Sequence, residues 1–197
     1  LVEVAIEDGA AQDGPAGGAL PQRGVELQPD HHEERRNERD GHKEEEEARA
    51  AEEGLIDAKA SLHIGPRGPT MDNSVFEHTR DVGFQLIDGD DLFEIGLFKT
   101  ADILVEQLKD RTVYLCFDMD FFDPSCAPGV CTPTWGGATA REGLGFLRKL
   151  KGLNIVGADI NTVSPPHDVG GMTAFLAGAV ALEILTLFCY AQNLVPK

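Results

Sequence analysis

Asp118-Met119-Asp120 follows directly on the apolar run Thr112-Val113-Tyr114-Leu115-Cys116-Phe117. In an extended chain residues two apart share a face, so the two carboxylates point the same way. Two such charges repel unless a cation sits between them. Turn contacts and caps are the alternative use of the pair, and Asp123 before Pro124 suits a turn cap. A second polar group follows another apolar run, Leu153-Asn154-Ile155-Val156-Gly157-Ala158. It holds Asp159, Thr162, His167 and Asp168.

Active sites of open parallel sheets lie at the carboxyl ends of strands, which is where both groups stand. The near-continuous apolar runs at 112–117 and 153–158 predict strands buried on both faces. Ser61 to Gly65 and Phe84 to Ile87 predict two shorter strands. Leu97, Ile103, Leu104 and Leu108 recur at helical spacing, which predicts a helix ending near Leu108. Thr139 and Glu142 form a capping box, so a helix runs from Thr139 to Leu150. A helical turn or two is expected over Asp72 to Asp81, and a closing helix over 171–190. Strand and helix alternate, which predicts a parallel α/β sheet flanked by helices.

The first part of the chain reads differently. Residues 1–60 carry 17 acidic and 7 basic side chains, and the first aromatic is Phe76. Dense charge without aromatics cannot bury enough apolar area to offset chain entropy, so residues 1–52 are expected to be a disordered acidic tail. Asp30-His31-His32 falls in that charge run and reads as solvated. Residues 53–197 are expected to hold the folded α/β domain. A net charge of −17 argues against nucleic acid and against anionic membrane surfaces. Met172 to Ala191 is long and apolar enough to span a bilayer, but in an α/β pattern it reads as a core helix. The start of the sequence lacks a basic segment and a long apolar run, so it does not read as a secretory signal. Four cysteines without C-x-x-C spacing read as reduced thiols, and a cytoplasmic protein is expected.

The longer run from Asp118, D-M-D-F-F-D-P-S-C-A-P-G-V-C-T-P-T-W-G-G, resembles the signature of the ureohydrolases, arginase and agmatinase among them. The resemblance continues through Arg141-Glu142, Asn154 to Asp159, and Pro165-Pro166-His167-Asp168 to Ala174. Upstream, Ser61-Leu62-His63-Ile64-Gly65-Pro66-Arg67 resembles the family's Ile-Gly-x-Arg strand, and Glu53 to Asp57 the segment before it. It spans residues 53–191 and is nearer to agmatinases than to arginases. It implies the C-terminal half of a three-layer arginase-like fold and hydrolysis of a guanidino compound to urea and an amine. Agmatine, giving putrescine, is the favoured substrate; free guanidine and a catalytically inactive binding or oligomer subunit are the alternatives. It also implies a binuclear manganese centre, nickel being possible, with Asp118 and Asp120 as ligands and Thr132, Thr162 and His167 beside the substrate. No single catalytic residue is assigned. A homo-oligomer is expected where the full fold is present.

Two departures stand out. The family's upstream Gly-Gly-Asp-His, Asp-Ala-His-x-Asp and His-Gly segments have no counterpart before Glu53, and Thr162 stands where the family usually has glutamate. A neutral hydroxyl cannot replace a charge-assisted carboxylate pair with guanidinium, so substrate identity stays open.

Overall fold

The computed structural model describes residues 2–6, 49–69 and 79–195. The chain divides into two compact units, Leu1–Glu7 with Asp57–Lys197, and Asp8–Ile56. Within the second, the described residues form a helical turn at 49–52 with an exposed Arg49–Glu53 ion pair of 2.7 Å. Asp30, His31 and His32 lie outside the described residues, as do residues 72–78 of the expected helical turn.

The larger unit holds strands β1 (Val2–Ile6), β2 (Leu62–Ile64), β3 (Gln85–Ile87), β4 (Thr112–Asp118) and β5 (Asn154–Asn161). Its helices are α1 (Gly89–Ile95), α2 (Leu97–Leu108), α3 (Ala140–Lys149) and α4 (Met172–Ala191). Single 3₁₀ turns follow β4 at Met119–Phe121 and precede α4 at Pro165–His167. The strand order is β3-β2-β1-β4-β5. β2 pairs with β3 and β4 with β5 in parallel, as strand–helix alternation predicts.

The middle strand breaks the pattern. β1 runs antiparallel to both neighbours, with Val4 opposite Leu62 on one side and Leu115 on the other. The sheet is therefore mixed rather than parallel. The reading of residues 1–52 as a single tail fails at Val2–Ile6. Val2, Val4 and Ile6 alternate at period two and are fully buried. Three apolar side chains suffice there because β2 and β4 supply the rest of the pocket.

β4 shows why the core forms beneath the chemistry. Val113, Leu115 and Phe117 are buried and join one cluster with Leu104 and Leu108 of α2 and Phe146 and Leu147 of α3. Helix α3 starts at the expected box: Thr139 accepts from the Glu142 N–H, and the Glu142 side chain returns a contact to the Thr139 N–H at 2.9 Å. α4 packs Val180, Ile184 and Leu187 inward, and its one charge, Glu183, is met by Arg148 Nε of α3 at 2.9 Å. It is long and apolar enough to cross a membrane, yet here it lies on β5 and α3.

Candidate active site

The chain leaves β4 at Asp118 and turns at once into the 3₁₀ segment, so the extended-chain geometry ends between the two aspartates. What holds them is apolar. Met119, Phe121 and Phe122 are almost completely buried. The ring of Phe121 meets Phe117 edge-on at 5.5 Å and lies 5.9 Å from Phe146. Burying each such ring contributes about 1.5–3 kcal/mol, which fixes the backbone between and beside the carboxylates. Asp118 itself is 4% exposed, an acidic side chain set into the carboxyl end of a central strand.

Asp120 is half-buried and is tied from both flanking loops. The Thr132 hydroxyl donates to Asp120 Oδ2 at 3.0 Å, and the Asp120 N–H donates to Thr162 Oγ1 at 3.2 Å. Thr162 carries φ +67°, a left-handed conformation rare for a β-branched residue. In that conformation its hydroxyl reaches Asp120 while its carbonyl accepts from the Cys131 N–H at 3.1 Å. The loop after β4 and the loop after β5 are thus laced together. Ser164 N–H donates to Gly129 O at 2.8 Å, and Gly129 N–H to the buried Thr173 hydroxyl at 2.8 Å.

Asp168 closes this arrangement as a cap on α4. Its two oxygens accept from the Thr173 and Ala174 N–H groups at 2.9 and 3.0 Å. The Ala174 contact, followed by those of Thr173, holds its carboxyl below the ordinary aspartate range. His167 takes no part in the group around Asp120. It is exposed, with Nδ1 2.7 Å from Ser164 Oγ. Thr132 and Thr162 are brought together with Asp120.

Arg67 is the residue that sequence reasoning passed over. Its Nη2 donates to the carbonyls of Asp120 at 2.6 Å, Phe122 at 3.1 Å and Thr134 at 2.8 Å. Burial pushes its basicity down, against the opposing pull of Asp120 and Asp123. Gly137 lets it in: a Cβ there would lie 2.5 Å from Arg67 Nη2 and 2.6 Å from the Phe122 carbonyl carbon. Asp123 folds the same loop by accepting from the Ser125 N–H at 2.9 Å and the Gly136 N–H at 3.0 Å. Ser125, through its hydroxyl first and then its N–H, keeps that carboxyl below its usual range. The Ile-Gly-x-Arg resemblance was the one signal for Arg67, and it named a strand, not a partner.

Residues 29–187 match the arginase family. The chain belongs to that family. It is 42% identical over 142 residues to the agmatinase of Photorhabdus laumondii, covering 70% of this chain and 42% of the relative. It is 37% identical over 139 residues to the guanidinopropionase of Pseudomonas aeruginosa, covering 71% and 44%. The solved structure of proclavaminate amidino hydrolase from Streptomyces clavuligerus superposes with a TM-score of 0.67 at 37% identity, over 73% of this chain and 48% of that one. This arginase-family chain therefore spans less than half the length of these relatives. β1 lies outside the matched residues, whereas β2 to α3 and β5 lie within them.

The family is generally binuclear and manganese-dependent, which sets a test for the donor set. Among the described residues no group of three or more His, Cys, Asp or Glu side chains is placed to hold a metal ion. Two carboxylates supply at most four oxygens, too few for two ions in a defined geometry. The described residues do not by themselves fit a complete binuclear centre.

Proposed function

We propose that the centre at the ends of β4 and β5 serves hydrolysis of the C–N bond of a small guanidino compound. Water adds its oxygen to the guanidino carbon, the bond to the substituted nitrogen breaks, and urea and an amine leave. Agmatine, yielding putrescine, is the favoured substrate. The observation that carries the reading is the placement of Asp118 and Asp120 at the carboxyl end of a central strand, with Thr132 bonded to Asp120.

A guanidinium is a planar cation with paired N–H donors, and carboxylates are its natural partners. Asp118 and Asp120 supply that charge, while Arg67, Thr132 and Thr162 hold the loop that presents Asp120. They are also the carboxylates this chain would offer to manganese, or to nickel. Thr162 spends its hydroxyl on the Asp120 N–H and offers no carboxylate, which favours a short guanidine over an arginine-like one as the second reading.

The test is urea release from agmatine and from free guanidine, first with manganese and then with nickel supplied. Slow, metal-dependent release from agmatine that disappears in Asp120→Ala is expected, slow because the donor set is short. Release that persists in Asp120→Ala, or no release from either compound, would overturn the reading.

A further inference from the structure

Among the described non-glycine residues, Thr162 and Asn193 have positive φ, at +67° and +56°. Asn193 has an ordinary reason for it. It lies just past the end of α4, where a left-handed residue closes a helix, and the Leu194 N–H donates to Cys189 O at 2.8 Å. Thr162 ends no helix and is β-branched, the class of side chain that tolerates this conformation least. A residue held there marks surroundings that over-determine its backbone, and such outliers gather at functional sites.

The cause is a change of partner. Asn161, the last residue of β5, is still paired in parallel with Asp118 of β4. Val163 is already paired antiparallel with Val130, in the loop after β4. The Cys131 N–H to Thr162 O and Ser164 N–H to Gly129 O contacts flank that pair. The chain leaves one partner and takes up the other within a single residue, and that residue is Thr162. Val130 is buried and Val163 packs against the same core, so the far side of the change is fixed.

We propose that Thr162 is the positioning residue for Asp120, its strained backbone aiming a hydroxyl that a relaxed chain would point elsewhere. The 3₁₀ turn Met119–Phe121 takes no side-chain cap from Asp118. Thr162 Oγ1 accepts the Asp120 N–H of that turn instead, from 42 residues along the chain. Its carbonyl meanwhile holds Cys131, next to the Thr132 whose hydroxyl donates to Asp120 Oδ2. One residue therefore governs both the main chain and the carboxylate of Asp120. The inference rests on the proposed hydrolysis, in which Thr162 acts through Asp120 and not on the substrate.

Thr162→Gly, Thr162→Ala and Thr162→Ser in the full chain separate strain from positioning. Glycine and alanine both delete the hydroxyl, but only glycine accepts a φ of +67° without strain. At an ordinary φ the alanine variant is the more stable of the two; here the glycine variant should melt higher. Both should lower kcat for urea release from agmatine by about 10- to 100-fold, the scale of a misaligned group. KM should stay within about threefold, because Asp120 keeps its charge in the site. Thr162→Ser keeps the hydroxyl and should restore most of the loss. Hydrogen exchange of the Asp120 N–H, read by NMR without substrate, should quicken about fivefold in the glycine and alanine variants and return to the wild-type rate in Thr162→Ser. A glycine variant that outlasts alanine on heating yet turns over no faster is an outcome that a purely structural residue does not give. An alanine variant that melts above the glycine one would overturn the strain. Wild-type kcat, or unchanged Asp120 exchange, in either variant would overturn the positioning. A wild type that releases no urea overturns the hydrolysis reading alone, and the Asp120 exchange still decides for or against Thr162.

Discussion

Ile6→Ala tests whether the middle of the sheet is built as described. Ile6 is fully buried, its N–H donates to Ser61 Oγ at 3.2 Å, and its carbonyl accepts from Asp57 N–H at 2.7 Å. Its side chain sits in the same cluster as Val113, its partner on β4. Truncating a buried isoleucine to alanine removes three carbons and leaves a cavity in the core beneath that face of the sheet. The cost is about 2–5 kcal/mol, depending on how far the site collapses. For a unit of this size each kcal/mol shifts the melting temperature by about 2–4 °C, so a fall of about 4–20 °C is expected. Urea unfolding gives the free energy directly. The midpoint should fall with the slope unchanged, because the surface exposed on unfolding is nearly the same. Val156→Ala, at a position 44% exposed, is the control and should stay within about 0.5 kcal/mol. An Ile6→Ala protein as stable as its parent would show that β1 does not occupy the centre of the sheet.

Other consequences are equally specific. Arg67→Ala strands three carbonyls of the loop that presents Asp120, and should cost at least about 3 kcal/mol in urea unfolding. Arg67→Lys should recover only part of that, since the shorter side chain carries its nitrogen one atom short of the Nη2 position. Gly137→Ala drives a methyl group into Arg67 and the Phe122 backbone, and should cost about 1–3 kcal/mol. Asp168 has a depressed carboxyl pKa in the folded chain, so its contribution is present above the ordinary aspartate range and is lost as pH falls through the folded value. Asp168→Asn should therefore lose less stability than the wild type between neutral pH and pH ~3, read by thermal melting in parallel buffers.

The legible parts of the fold are those in which local pattern and burial coincide. β4 is an apolar run buried along most of its length, β5 one that is mostly half-buried with Val156 exposed, and α3 begins at its own capping box. A D-x-D after such a strand is ambiguous by itself, and Asp118 and Asp120 stood out only through the longer run that continues from them to Gly137. β1 was not legible, although Val2, Val4 and Ile6 alternate. A five-residue strand draws its pairing from strand partners at least 58 residues away, and the charged sequence after it carries no sign of them. Arg67 was hidden for a similar reason. Its acceptors are main-chain carbonyls 53 to 67 residues distant, and main chain leaves no mark on composition. The contact of His167 with Ser164 Oγ is set by the turn of its loop, which residue types alone do not announce. The left-handed Thr162 follows from the lacing of two loops, which no single segment encodes.

The most direct measurement of the central claim is carbon-13 NMR of the full chain with agmatine labelled at the guanidino carbon, manganese supplied. The account predicts that the label appears in urea with an equal amount of putrescine formed, and that Asp120→Asn stops this while melting within a few degrees of the wild type. Label that stays in agmatine, or an Asp120→Asn protein that turns over at the wild-type rate, would contradict it.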